Sequence, residues 1–398
     1  MPVHNIHMYT LAFVAYLSFV RVSHSENPLN SPEVKLINKL LLNYEKRARP
    51  IINVSAAIPV TYNIDIVGIQ EVDPKNQRMS IFAWQPMQWK DEFLAWNSEE
   101  HGGIKRIILP TASIWIPDFV LQNTADKFYN EESLKYFNAE VSHTGNVIFT
   151  PGGKLSTSCP LNMKYFPFDY QACKLLVSVW APSCAEVKME ALSKKVATDR
   201  YEESAEWTLV STSIKNVQIL YLGVKYCSIE INLNLQRKPL YFVLIFVIPC
   251  ILLSFVSIVS FTIPAEGGER ISMSMTVLLS FSFFLIVLND LLPKNSDEAP
   301  ILAIYIVVVM AFMGMSLICT ILVVRLHYSS KPVSPLIKRV ITGYLAFCVK
   351  VKISPEKATG IDWKDVGKVL DRIFIIIFSI CVLIVTIVVF FLILTHRK

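Results

Sequence analysis

The sequence predicts a β-sandwich domain joined to a bundle of four membrane-spanning helices. Between about residues 51 and 238, short runs of alternating polarity are broken by Pro, Gly, Asn and Asp, the pattern of a sandwich. From Leu240 onward, apolar segments at roughly 240–262, 271–292, 300–324 and 373–394 are each long enough to cross a bilayer, whose core takes about 20 helical residues. Of the 398 residues, 53% are hydrophobic, as in an integral membrane protein that keeps a substantial soluble part. The net charge of +6 is modest, and no Lys/Arg run with interleaved aromatics occurs, so nucleic acid is not an expected partner.

Taken in order, residues 9–20 are apolar but too short to span, and small residues follow from Val22 to Ser25. This predicts a cleaved secretory signal over 1–25, with an uncleaved anchor as the alternative. The β domain, 26–238, is then extracellular, and Asn53-Val-Ser55 becomes a glycosylation acceptor. Ser31-Pro-Glu-Val starts a short helix with a hydroxyl cap and Pro at its first position, placing Val34, Ile37, Leu40 and Leu41 on one face. The runs VTYNIDIVGI, RMSIFAW, VIFT, KLLVSVW and CSIEINLNL are the strand candidates. Eight cysteines divide by location. Cys250, Cys319, Cys348 and Cys381 fall in apolar spans or a basic linker and are expected as free thiols. Cys159, Cys173, Cys184 and Cys227 fall in the β domain, where four cysteines allow three connectivities.

In the first span, Pro249 frees a carbonyl and is expected to kink the helix. Helices one to three occupy 239–325. The linker 326–371 belongs to a stretch, Arg325 to Arg372, with ten Lys/Arg against four Asp/Glu. The positive-inside rule makes it cytoplasmic, which sets both termini outside, the last span lying in 372–398. Asp362-Trp-Lys-Asp-Val-Gly-Lys-Val-Leu reads as a capped amphipathic helix running into that span.

The second span carries a polar stripe at steps of three and four: Glu269, Ser272, Thr276, Leu279, Phe283, Ile286 and Asp290. Ionisable groups near a membrane mark ion or substrate paths; the alternative is an inward face of a tight bundle, with hydroxyls bonding across helices. One striped helix cannot enclose water, so several copies around an axis are implied, as a homo- or hetero-oligomeric ring. The stripe then becomes stacked rings. Glu269 lies at the inner mouth, Ser272 and Thr276 in the narrow part, Leu279 and Phe283 at an apolar constriction, and Asp290 at the outer mouth, an arrangement that passes cations and gates by dewetting.

Thirteen residues separate Cys159 from Cys173 in Cys-PLNMKYFPFDYQA-Cys. With WKDEFLAW at 89–96, IWIPDFVLQNTAD at 114–126, QRKPLYF at 236–242, VIPC at 247–250 and GERISMSMTVLLS at 268–280, the chain resembles the Cys-loop receptors, the pentameric ligand-gated ion channels. It is most similar to their cation branch, the nicotinic acetylcholine and serotonin type 3 receptors, because Gly-Gly-Glu-Arg stands where the anion branch has Pro-Ala-Arg. The resemblance implies an N-terminal helix, about ten strands, four membrane helices and a pentamer in a plasma membrane, postsynaptic in setting. Its implied partners are a small cationic agonist, monovalent cations with calcium as a further candidate, related subunits and the lipid bilayer; it implies no cofactor, metal or enzymatic role. No nucleophile–base arrangement, metal spacing or phosphate-binding Gly loop stands out that would make the chain a tethered enzyme.

Residue by residue, the resemblance implies a Cys159–Cys173 disulfide, worth roughly 3 kcal/mol by the chain-entropy model. Phe166, Pro167, Phe168 and Asp169 of that loop, Asp73 and Lys75 of the first hairpin, and Arg237 before the first span would transmit binding to the gate, together with the linker from Pro293 to Pro300. Pro74 stands where relatives have an acidic partner for that arginine, so Asp73 or Asp169 substitutes or the pair is absent; for Asp73 and Lys75 the alternative is a solvated turn. The agonist box would draw on Trp180, Tyr221 and Tyr226 on one face, and on Trp84, Ile148 and Thr150 of the neighbouring subunit. The alternative for such aromatics is core packing, to which Trp89, Trp96 and Trp115 are assigned. Gln122 replaces one ring of the box, and the adjacent cysteine pair of acetylcholine-binding subunits is missing. Cys227 and Cys184 would lie on neighbouring loops, where a second disulfide would pin the capping loop. These departures admit a second reading, an accessory subunit that completes no site alone. Leu279 is the implied main gate, and Phe283 adds a bulkier ring above it.

Overall fold

A computed structural model describes residues 31–126, 137–264, 268–292, 298–330, 332–340, 345, 349 and 362–395. The expected signal segment, Cys348, linker residues 293–297 and the terminal 396–398 lie outside the described residues.

The alternating runs fold as strands, but each long run ends where its ladder cannot continue. Helix α1 (Pro32–Leu41) is followed by β1 (Ile58–Tyr62), β2 (Asp65–Asp73), β3 (Arg78–Trp84), β4 (Met87–Lys90), β5 (Arg106–Pro110), β6 (Phe119–Leu121), β7 (Asn138–Ser142), β8 (Asn146–Phe149), β9 (Gly152–Ser158), β10 (Tyr170–Val179), β11 (Val187–Ala191), β12 (Trp207–Tyr221) and β13 (Val224–Arg237). These thirteen strands, against about ten expected, arise from breaks at 63–64, 85–86 and 150–151. Pro86 and Pro151 lack the N–H that a ladder needs. Across each break the chain changes sheet. One sheet runs β11-β1-β4-β8-β7-β5, another β12-β13-β10-β6 and the third β2-β3-β9. VTYNIDIVGI is therefore two strands in two sheets.

α1 departs in detail from its expectation. Ser31 makes no side-chain cap hydrogen bond, and Leu36 is the buried residue, while Val34, Ile37, Leu40 and Leu41 are half-buried. Trp89, Trp96 and Trp115 are buried as core, with Trp89 edge-on to Trp115 at 5.8 Å.

Two inward rows organise the four-stranded sheet. On β13, Ile229, Ile231, Leu233 and Leu235 are buried, and the same period of two ends on Arg237. On β10 the buried row Gln171, Cys173, Leu175, Val177 and Val179 begins, one step earlier, at Asp169. Because Tyr170 pairs with Gln236 in the antiparallel register, the two apolar rows close on a carboxylate and a guanidinium. Sequence period and strand register together create that pair.

Among the described residues, four helices are long and apolar enough to cross a membrane: α2 (Leu240–Ser260), α3 (Glu269–Leu291), α4 (Ile301–His327) and α6 (Trp363–Thr395). A short helix, α5 (Pro335–Arg339), precedes α6. In α2 a π-helical turn, Val243–Val247, immediately precedes Pro249 and accommodates the ladder step that proline cannot make. The amphipathic segment at Trp363 and the last span form one continuous helix. Along α3, Arg270, Ser274, Val277, Phe281 and Leu288 are buried against the other helices.

Candidate functional site

The candidate residues fall into three groups. The first is the half-site on the β12-β13-β10-β6 sheet. Trp180 follows β10 and is 54% exposed, its backbone N–H donating to the Asp118 carbonyl at 2.7 Å. Tyr221 and Tyr226 belong to the β12–β13 hairpin, whose two-residue turn, Leu222 and Gly223, has φ of 49° and 81°. Two positive φ values make this a tight turn of the kind suited to a twisted ladder. Gln122, next to β6, donates from Nε2 to the Ser178 hydroxyl at 2.7 Å. Its amide is thus engaged inside its own subunit. Cys184 and Cys227 are disulfide-bonded, and the Cys184 N–H donates to the Lys225 carbonyl at 2.9 Å. The hairpin is therefore stitched to the Trp180 loop four residues from its turn.

The second half-site lies on other sheets. Trp84 ends β3, Ile148 lies on β8 and is exposed, and Thr150 follows β8. The Trp84 ring rests on Gly152, the first residue of β9, so closely that a Cβ there would sit 2.4 Å from the indole. Phe137 meets the same ring edge-on at 6.1 Å. Gly152→Ala is therefore expected to displace Trp84 and destabilise by about 1–3 kcal/mol, read as a lower melting temperature of the assembled protein; unchanged melting would mean that the indole is not held there. Within one chain the two sets occupy separate sheets.

The second group joins the β domain to the helices. Arg237 is buried, donates from Nε to Asp169 Oδ1 at 2.8 Å, and also pairs with Glu206. Its guanidinium lies over the rings of Trp207 at 4.2 Å, Phe166 at 5.1 Å and Phe242 at 5.3 Å. Burial pushes the Glu206 carboxyl above its ordinary range, against the pull of the Arg237 charge. Of the two substitutes considered for the missing acidic partner, Asp169 holds the arginine, while Asp73 pairs with Arg78 at 3.3 Å and binds Asn76. Lys75 reaches Asp290 at the end of α3, 3.9 Å away, a solvent-exposed pair of small energy. The Cys159–Cys173 loop touches α4 directly. The Ile301 N–H donates to the Lys164 carbonyl at 2.9 Å, and Glu298 accepts from Asn162 at 2.8 Å. Hydrogen bonding from Asn162 and then from Lys164 holds the Glu298 carboxyl below its usual range. Pro167 and Phe168 line an apolar cavity with Val243, Leu302, Tyr305 and Phe390.

Glu206, Trp207, Phe242, Asn162, Lys164, Glu298 and Gly152 were not singled out by sequence reasoning. One signal was present for Trp207. Counting back from the Leu222-Gly223 turn, with a single bulge, sets Trp207 opposite Arg237.

The third group is the stripe on α3. Glu269, Ser272, Thr276, Leu279, Phe283, Ile286 and Asp290 are all exposed in the single subunit, Leu279 by 71% and Phe283 by 64%. The buried row of α3 lies on the opposite side.

The model of the neurotransmitter-gated ion-channel ligand binding domain matches residues 33–239, and that of the neurotransmitter-gated ion-channel transmembrane region matches residues 246–358. The neuronal acetylcholine receptor subunit beta-3 of Rattus norvegicus is 31% identical over 337 residues, covering 84% of this chain and 72% of the relative. The subunit non-alpha-2 of Carassius auratus is 31% identical over 334 residues, 82% of this chain and 71% of that one. The subunit alpha-2 of Homo sapiens is 31% identical over 334 residues, 82% and 61% respectively.

Proposed function

Because the chain belongs to the neurotransmitter-gated ion channels, a family of ligand-gated receptors and not of enzymes, we propose that its α3 helix lines a cation pore and that each β domain supplies half of an amine site on either side. The chain is a subunit of a pentameric ligand-gated cation channel. The observation that carries the finer reading is the α3 stripe: seven polar or bulky residues left uncovered along one face, with carboxylates at both ends. A fivefold ring turns them into stacked rings, carboxylates selecting cations and Leu279 with Phe283 forming the dewetting gate. Trp180, Tyr221 and Tyr226 of one subunit, facing Trp84, Ile148 and Thr150 of the next, make an aromatic site for a small cationic ligand. The β domain, 26–238, and both termini face outward, in a plasma membrane and in a postsynaptic setting; the linker 326–371 faces the cytoplasm. Monovalent cations are the main permeant species, with calcium as a second.

Two tests arise here. Glu269→Ala is expected to reduce the sodium-to-chloride permeability ratio by roughly tenfold, read as a collapsed reversal-potential shift under salt dilution; an unchanged ratio would sink the charge-ring reading. Asn53-Val54-Ser55 is an exposed sequon, Asn53 Oδ1 accepting from its own Ser55 N–H at 3.2 Å. Asn53→Gln is expected to abolish the one glycosidase-sensitive gel shift of the expressed chain, and a shift that persists would contradict the assignment.

Gln122 favours a second reading, the accessory subunit. Its amide is committed to Ser178, so the box has lost a ring, and the similarity to subunits named beta-3 and non-alpha-2 agrees with that reading. Expressing the chain alone and with related subunits, under a panel of amines, separates the two. Amine-evoked current from the chain alone supports a complete site; silence alone with altered current on co-expression supports the accessory role.

A further inference from the structure

The face that carries the first half-site holds polar groups as well as rings. In a β ladder, directly paired residues share a face, and so do residues two apart along a strand. Ser178 pairs with Ser228, and Ile219 with Tyr226. Trp180 therefore lies on the side of Ser178, Tyr226 on the side of Ser228, and Tyr221 on the side of Ile219. Gln122 joins them through its hydrogen bond to the Ser178 hydroxyl. The opposite side of β10 and β13 is the buried row of Val177, Val179, Ile229 and Ile231.

Beside the rings this face is polar and uncharged. Ser178 and Ser228 are buried, and the Ser228 hydroxyl has no hydrogen-bond partner among the described residues. The next residue of β13 on this side, Glu230, is already engaged by Asn232 at 2.9 Å and by Lys174 at 3.7 Å. Gln122 is half-buried, and the two ends of its amide are used differently. Nε2 is committed to Ser178 at 2.7 Å, which fixes the amide, while Oε1 accepts from no donor among the described residues. A free carbonyl oxygen thus occupies the position where the resemblance expects an aromatic side chain.

Rings attract every ammonium by its charge, whatever its substituents. An acceptor discriminates. A primary or secondary ammonium gives up hydrogen bonds to water on entering a site, and Oε1 replaces one of them. A trimethylammonium has no N–H to give, and its methyl groups would cover Oε1 and leave it unpaired. Resting on the amine site proposed above, we propose that Gln122 selects ligands that carry an N–H. Its Oε1 accepts from a primary or secondary ammonium lying against Trp180 and Tyr226, and quaternary ammonium ligands are disfavoured. Ser178 is the positioning residue that holds the amide for this contact.

The test uses full-length receptor assembled from this chain, titrated by calorimetry with tyramine, serotonin and the N,N,N-trimethyl derivative of each. Each primary amine is expected to bind at least about tenfold tighter than its trimethyl derivative, the discrimination of one hydrogen bond to a charged group. Gln122→Leu, of similar size but without the acceptor, is expected to erase that ratio by weakening the primary amines and sparing the trimethyl compounds. Ser178→Ala, which frees the amide, is expected to lower the ratio partway, and it serves if Gln122→Leu fails to assemble. Because each ratio is taken within one protein, partial loss of assembly does not move it. A trimethyl derivative that binds as tightly as its parent would overturn selection by Gln122 while the amine site stands. So would a ratio that both substitutions leave unaltered. Binding of none of the four compounds would overturn the amine site itself, and the selection with it.

Discussion

Arg237→Ala is expected to remove assembled receptor from the cell surface. The guanidinium is buried between two carboxylates, Asp169 and Glu206, and three rings, Phe166, Trp207 and Phe242. Truncating it leaves Asp169, itself buried, as an unpaired charge among aromatics. Breaking a buried pair by removing one partner costs about 3–5 kcal/mol, a large part of the 5–15 kcal/mol or so by which a folded domain is stable. Lysine is not a rescue, since a point ammonium reproduces neither the fork onto Asp169 nor the stacking on Trp207. Neutralising the acids in the same chain, Asp169→Asn with Glu206→Gln, is expected to recover part of the loss, because no bare charge remains. Surface biotinylation and gel filtration of the tagged subunit measure both effects. Wild-type surface levels for Arg237→Ala would show that the junction does not hold the domains.

That junction also shows what a sequence reader can and cannot see. Arg237 and Asp169 were legible because the resemblance points at both. Glu206 was not, although it precedes Trp207 by one residue, because its approach to Arg237 depends on a β-bulge near Leu209 that shifts the hairpin register. The strand pattern was legible as runs. Which sheet each run joins was not, because the breaks after Tyr62, Trp84 and Phe149 redirect the chain between sheets through tertiary packing. Periodicity on α3 separated its covered and uncovered faces correctly, because a helix turns every residue by a fixed angle and packing leaves that angle intact. On α1 the same rule put the half-buried face first and missed Leu36, the one side chain that the β domain encloses. Side-chain commitments such as Gln122 to Ser178 leave no trace in spacing; they appear only when two strands are paired.

The fixed angle of α3 leads to the second large effect. Glu269 and Arg270 are adjacent and of opposite charge, yet one helical step sends them to different sides. Glu269 is exposed on the stripe; Arg270 is fully buried, donating to Asp371 of α6 at 2.5 and 3.0 Å, with its guanidinium over Phe261 at 5.3 Å. A charge at a membrane span must be paired or face water, so Arg270→Ala strands the Asp371 carboxylate. The expected loss is again about 3–5 kcal/mol, seen as a drop in melting temperature of the detergent-solubilised receptor and in the number of channels. Exchanging the pair, Arg270→Asp with Asp371→Arg, restores opposite charges and is expected to return roughly 1–3 kcal/mol as a coupling energy in a double-mutant cycle. Recovery stays incomplete because Phe261 would then face a carboxylate, which a ring face repels. The two neighbours are thereby separable. Glu269→Ala is expected to change selectivity while leaving melting unaltered, because its side chain supports no packing. Arg270→Ala is expected to change melting while leaving the selectivity of the surviving channels unaltered, because its charge never faces the pore. If Arg270→Ala altered selectivity as strongly as Glu269→Ala, the two side chains would share one face, and the assignment of the α3 stripe to the pore would fail.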